Sequence, residues 1–239
     1  MCIAILNTKG TISKSEFKTC WNNNPDGGGL AWNEGGKLRI FKEMKDVNTL
    51  YQKYTSIRKQ LPNNNILMHF RIATHGKVNE TNCHPFRVNK DLVFIHNGMI
   101  TGTGLPQSSE FSDTYLFNQL ILQKLPKDFT RNEAITNLIA QYIDYSKLIF
   151  LDSADNWTII NEDLGEWNGD NWYSNKSYLC STPHKKSSKG YVNSYDYYYY
   201  GYDENFCDCC QKSAATKYST EYNAELCKDC YKEFVDYDK

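Results

Sequence analysis

Two groups of residues in this 239-residue chain carry reactive chemistry by their type and spacing. The first is Cys2, directly behind Met1 and at the head of the apolar run Cys2-Ile3-Ala4-Ile5. Once Met1 is removed, one residue holds both a thiol and a free α-amine, a nucleophile with its own base. A thiol is only a few per cent ionised at neutral pH, and an α-amine of pKa about 7.7–8.0 is suited to take its proton. Cysteine is small enough for a methionine aminopeptidase to tolerate in second position. Taken alone, these residues read more simply as the small apolar start of a buried strand. The second group is Cys207-x-x-Cys210 with Cys227-x-x-Cys230, sixteen residues apart. Four thiolates at that spacing make a tetrahedral zinc set of the zinc-ribbon or treble-clef kind. Cys209 is an alternative to Cys210, and iron is an alternative metal.

The elements that must position Cys2 follow from periodicity and capping. Residues 2–6 read as a strand buried on both faces, ended by Asn7, Thr8, Lys9 and Gly10. Ser13 and Glu16 form a capping-box pair for a helix carrying Phe17, Cys20 and Trp21. Asp26 and the three glycines after it form a loop, and a hairpin turns around residues 33–36. Those glycines lack the Gly-Lys-Ser/Thr continuation of a phosphate cradle. Asp46 caps a helix with Val47, Leu50, Tyr51, Tyr54, Ile57 and Leu61 at helical spacing, stopped by Pro62. Strands follow at 66–72 and 91–95. Ser112 caps one further helix, and Thr130 with Glu133 a second. Strand-like pieces at 147–151, 157–161 and 172–173 close the pattern. Strands in groups and helices in pairs predict stacked layers rather than a doubly wound βαβ chain.

Three more stretches stand beside Cys2. They are His69-Phe70-Arg71-Ile72-Ala73-Thr74-His75-Gly76 with Asn82-Cys83-His84-Pro85-Phe86, then Ile95-His96-Asn97-Gly98, then Ser112-Asp113-Thr114. Alone, Asn97-Gly98 between apolar residues is a hairpin-turn signal, and Asp113 an ordinary first-turn helix acid. Together with Cys2 they closely resemble the class II glutamine amidotransferase domain, a member of the N-terminal nucleophile (Ntn) hydrolases. The resemblance spans roughly residues 2–180, and the Arg-x-Ala-Thr-His-Gly run is its most specific part. It implies an α+β fold, a four-layer αββα sandwich. It also implies a reaction in which Cys2 attacks the glutamine side-chain amide, ammonia leaves, and water hydrolyses the γ-glutamyl thioester.

Glutamine's own chemistry asks for the same parts, because its carboxylate, ammonium and amide need a cation, an anion and a nucleophile in three places. Arg71 offers a forked pair to the carboxylate. The resemblance assigns Asp113 to the ammonium, Asn97 and Gly98 to the oxyanion hole, and Thr74, His75 and Gly76 to the glutamine site. None of His69, His75, His84, His96 or His184 is assigned as general base, since the α-amine fills that role. His84 matches a family position near the site mouth. Ile72 departs from the aromatic residue that sugar-phosphate-forming members often carry, which leaves other γ-glutamyl amides open as substrates.

The expected organisation is an amidotransferase-like domain over 2–183, a Lys/Ser-rich then Tyr-rich linker over 184–203, and a zinc finger over 204–239. A net charge of −1 argues against a general polyanion binder, and the acidic tail favours protein docking over nucleic acid. No apolar stretch approaches the roughly 20 residues that span a bilayer, so a cytoplasmic protein is expected. The leading reading is a glutamine amidotransferase or glutaminase that delivers ammonia to an acceptor on a separate protein. A γ-glutamyl amide hydrolase and a non-catalytic zinc-finger adaptor are the alternatives.

Overall fold

The computed structural model describes residues 2–101, 108, 110–179, 207, 215–219, 224–229, 231 and 232. The chain divides into two compact units, Met1–Asn175 and Lys176–Lys239.

The first unit is built around strand β1 (Ile3–Asn7), buried along its whole length. Its antiparallel neighbours are β4 (Ile66–Phe70) on one side and β10 (Asn171–Tyr173) on the other. With β2 (Gly28–Glu34), β3 (Lys37–Glu43) and β9 (Glu166–Asn168) they form a six-stranded sheet in the order β3-β2-β4-β1-β10-β9. A second sheet, β5-β6-β7-β8, comprises β5 (Phe86–Asn89), β6 (Leu92–Asn97), β7 (Lys147–Asp152) and β8 (Trp157–Ile160). Ala4, Leu6, Leu67, Val93, Ile95, Ile149 and Leu151 pack into one cluster between the sheets. Strand alternation turns Ile3 and Ile5 to the opposite face, which explains why β1 reads as an unbroken apolar run.

Helices cover both outer faces. Against the first sheet lie α1 (Lys14–Asn23) and α2 (Val47–Gln60), where Phe17 meets Phe70 edge-on at 4.9 Å and stacks on Tyr54 at 5.6 Å. Against the second lie α3 (Asp113–Leu120) and α4 (Glu133–Ile143), whose Phe117, Ile139 and Ile143 join Phe94 and Phe150 in another core cluster. The layers therefore run helix, sheet, sheet, helix, as expected for an α+β sandwich.

Local chemistry differs from expectation at two helix caps, and it decides against the hairpin that Asn97-Gly98 alone would suggest. Ser13 Oγ accepts from Glu16 N at 3.1 Å, but the Glu16 carboxylate turns away to accept from Tyr173 Oη, so only half of the capping box forms. The cap of α4 is Asn132, not Thr130, which lies in a 3-10 turn over Phe129–Arg131. Asn97-Gly98 is not a hairpin turn: the partner of β6 beyond it is β7, fifty residues on. The glycine run after Asp26 serves close approach, since a Cβ on Gly29 would lie 2.2 Å from the His84 carbonyl oxygen.

In the second unit, β11 (Lys217–Ser219) and β12 (Ala224–Leu226) form an antiparallel pair that leads directly into Cys227. Cys207 and Cys227 are buried. Cys209, Cys210 and Cys230 lie outside the described residues, as does the 184–203 linker. Among the described residues no group of three or more His, Cys, Asp or Glu is arranged to hold a metal ion. No helix among them is long and apolar enough to cross a membrane.

Candidate active site

Antiparallel pairing of β1 with β4 sets Ile3 opposite Phe70, and so brings Cys2 beside the chain that leaves β4. The Cys2 thiol donates to the Ile72 carbonyl at 3.3 Å, and Ile72 N–H points back at Cys2 Sγ at 3.4 Å. Burial pushes the thiol above its usual range. The Ile72 N–H and the Arg71 charge oppose that shift, while Asp113 adds to it. A thiol in this setting needs a base to become a nucleophile.

The Cys2 carbonyl is gripped by two side-chain amides, Asn97 Nδ2 at 2.5 Å and Asn175 Nδ2 at 2.8 Å. Asn97, the last residue of β6, thus reaches across from the facing sheet, and it is 1% exposed. Gly98 follows with φ +133, where a Cβ would lie 2.3 Å from Ser146 Oγ. Only glycine fits there, and the hydroxyl of Ser146 is itself fixed by donating to the Met99 carbonyl at 3.0 Å.

Arg71 is buried, and its guanidinium donates to the carbonyls of His75 at 3.0 Å and Lys77 at 3.2 Å, which curls residues 72–77 around it. Asp26 holds the base of this loop. Its carboxylate accepts from Ala73 N at 2.8 Å, and its own N–H donates to the Arg71 carbonyl at 2.9 Å. Thr74 and His75 are exposed on the loop, and Gly76 packs against residues 111 and 112. Asp113 opens α3 behind its cap Ser112, and one carboxylate oxygen accepts from Ile100 N at 2.7 Å.

One cavity of about 20 Å³ gathers these parts: Cys2, Arg71, Thr74, His75, Gly98 and Asp113 all line it. Asn97 joins through the Cys2 carbonyl, and Gly76 through Ser112. A space of that size holds roughly one water. Ile72, His84, His96, Ser112 and Thr114 complete the lining. Sequence reasoning missed Asn175, Asp26 and Ser146. Asn175 had no local signal, being 173 positions from Cys2; the polar Asp26 next to three glycines was the one visible cue.

A profile described as glutamine amidotransferases class-II matches residues 8–146, a span that holds Arg71, Thr74, His75, Gly76, Asn97, Gly98 and Asp113 but not Cys2. A putative glutamine amidotransferase of Haemophilus influenzae is 27% identical over 151 residues, 56% of this chain and 51% of that one. The isomerizing glutamine–fructose-6-phosphate aminotransferase of Saccharomyces cerevisiae is 35% identical over 77 residues, 28% of this chain and 10% of that one. The chain thus matches about half of the first relative's length and a tenth of the second's. Among solved structures, the glutamine phosphoribosylpyrophosphate amidotransferase of B. subtilis superposes with a TM-score of 0.51 at 16% identity, covering 75% of this chain and 43% of that one.

Proposed function

The chain belongs to the class II glutamine amidotransferases, and we propose that it hydrolyses the side-chain amide of glutamine through Cys2 and hands the ammonia to an acceptor on a separate protein. The observation that carries this reading is the convergence of Cys2, Arg71, Gly98 and Asp113 on one cavity. Removal of Met1 frees the Cys2 α-amine, which takes the thiol proton that burial otherwise retains. The sulfur attacks the amide carbon. Asn97 Nδ2 and Gly98 N–H stabilise the oxygen that becomes negative, a role in which losing one donor typically costs ~10²–10³ in rate. Arg71 takes the glutamine carboxylate and Asp113 the ammonium, with Thr74, His75 and Gly76 shaping the wall between them. The Cys2 α-ammonium passes its proton to the amide nitrogen as the carbon–nitrogen bond breaks and ammonia leaves, and water then releases glutamate from the thioester.

Coupled assays of ammonia and glutamate test this. Wild-type protein is expected to form the two in equal amounts from glutamine, and to release glutamate from glutamine faster than from γ-glutamyl conjugates, with activity lost in Cys2→Ala. Faster turnover of the conjugates points to the γ-glutamyl amide reading, and no turnover of either points to the adaptor.

In the second unit, the burial of Cys207 and Cys227 and the strand pair leading into Cys227 support a zinc finger completed by Cys210 and Cys230. Bound zinc would staple a segment too small to build its own core. One zinc per chain by elemental analysis, lost in Cys227→Ser, is expected; a metal-free chain contradicts it.

A further inference from the structure

Three imidazoles beside Cys2 take no part in the acylation chemistry. His69 on β4, His96 on β6 and His84 between them are 0%, 2% and 4% exposed. Ring centroids lie 3.9 Å apart for His69 and His84, and 6.2 Å apart for His84 and His96. His69 Nε2 pairs with the His96 carbonyl at 2.9 Å, and His96 Nδ1 with Thr114 Oγ1 at 2.7 Å. The remaining nitrogens, His69 Nδ1, His96 Nε2 and both of His84, have no hydrogen-bond partner among the described residues. Buried polar atoms are nearly always bonded, and those that protein leaves unpaired are bonded by water.

The cavity of about 20 Å³ exceeds the ~10–15 Å³ that one water requires. His84 and His96 line it together with Cys2, whereas His69 does not. His96 already spends one nitrogen on Thr114, so His84 alone has both nitrogens uncommitted. We infer that His84 positions the water that hydrolyses the γ-glutamyl thioester, an inference that rests on the glutamine reading above. Burial, reinforced by the other two histidines, keeps His84 neutral near pH 7, so one of its nitrogens remains an acceptor for a water proton.

In the step, the water oxygen bonds the γ-carbonyl carbon and the carbon–sulfur bond breaks, its electron pair leaving on Cys2 Sγ. One water proton passes through the α-amine to that sulfur, and the other stays with the carboxylic acid of glutamate. His84 is a positioning residue: it aims the water and gains no bond in the balance.

The test compares wild type with His84→Phe, which keeps an aromatic ring against Phe86 but offers no acceptor, and His84→Gln, which offers one. Each is mixed with glutamine, quenched in acid at intervals, and analysed for ammonia, glutamate and the intact mass of the acyl-enzyme. In His84→Phe the first equivalent of ammonia is expected at a rate within about twofold of wild type, with glutamate release slowed about 10²-fold and thioester accumulating. His84→Gln is expected to regain most of the lost deacylation. Equal slowing of ammonia and glutamate in both variants, without thioester, would make His84 a packing residue and overturn the inference. Should wild type itself form neither ammonia nor thioester, the glutamine reading fails and the inference with it.

Discussion

Gly98 bears two constraints at once, a φ of +133 and a neighbour that would sit 2.3 Å from any Cβ. Its N–H is aimed by that backbone, so a side chain here is expected to disturb both stability and the proposed oxyanion site. Gly98→Ala is expected to cost about 1–3 kcal/mol of stability in urea unfolding and to lower kcat by about 10²-fold. Unchanged values of both would remove Gly98 from the site. Arg71 was singled out in the sequence by its residue type, and Asn97, Gly98 and Asp113 by the family resemblance; the fold brings Arg71, Gly98 and Asp113 to the cavity that Cys2 lines and Asn97 to the Cys2 carbonyl. Asp26 and Asn175 were not. Each acts by a hydrogen bond to distant backbone, Asp26 to Ala73 and Asn175 to Cys2, and one carboxylate or amide in a loop gives no sign of its partner.

Elements were legible where periodicity was long and misplaced where a 3-10 turn precedes the helix. In α2, Asp46 accepts from both Asn48 N and Thr49 N, as its position before an apolar stripe suggests. At α4, Thr130 matched the capping-box spacing, yet the chain first makes a 3-10 turn and starts the helix after Asn132. Asn132→Ala is therefore expected to lower stability by about 1 kcal/mol, with Thr130→Ala within about 0.5 kcal/mol of wild type. Denaturation midpoints that ranked the two the other way would restore Thr130 as the cap. Asn97-Gly98 shows the same limit in a strand. Its local preference for a hairpin yields to pairing between β6 and β7, which brings strands together over a separation that no short motif encodes.

At the scale of the whole first unit, two sheets closing face to face bury His69, His84 and His96. Burial lowers all three, His69 to about 3, His96 to about 4, and His84 well below its ordinary value. Arg71, Lys42 and Lys147 oppose protonation within this group, while Asp113 favours it at His96. The native state holds these rings neutral, whereas the unfolded chain protonates them below about pH 6.5, so their contribution is fully present above that pH. It is lost as pH falls from about 6.5 toward the folded values near 4 and 3, by about 1.4 kcal/mol per pH unit for each histidine. Urea midpoints measured from pH 7 to pH 5 should fall more steeply for wild type than for His84→Phe. Parallel curves would show that His84 is not held neutral.

In the proposed function Cys2, freed of Met1, is the nucleophile of a glutamine-shaped site. Intact mass before and after incubation with an electrophilic glutamine analogue tests it most directly, with Cys2→Ala as control. A chain lacking Met1 that gains a single adduct, absent from Cys2→Ala, is expected. A chain that keeps Met1 and gains no adduct would contradict it.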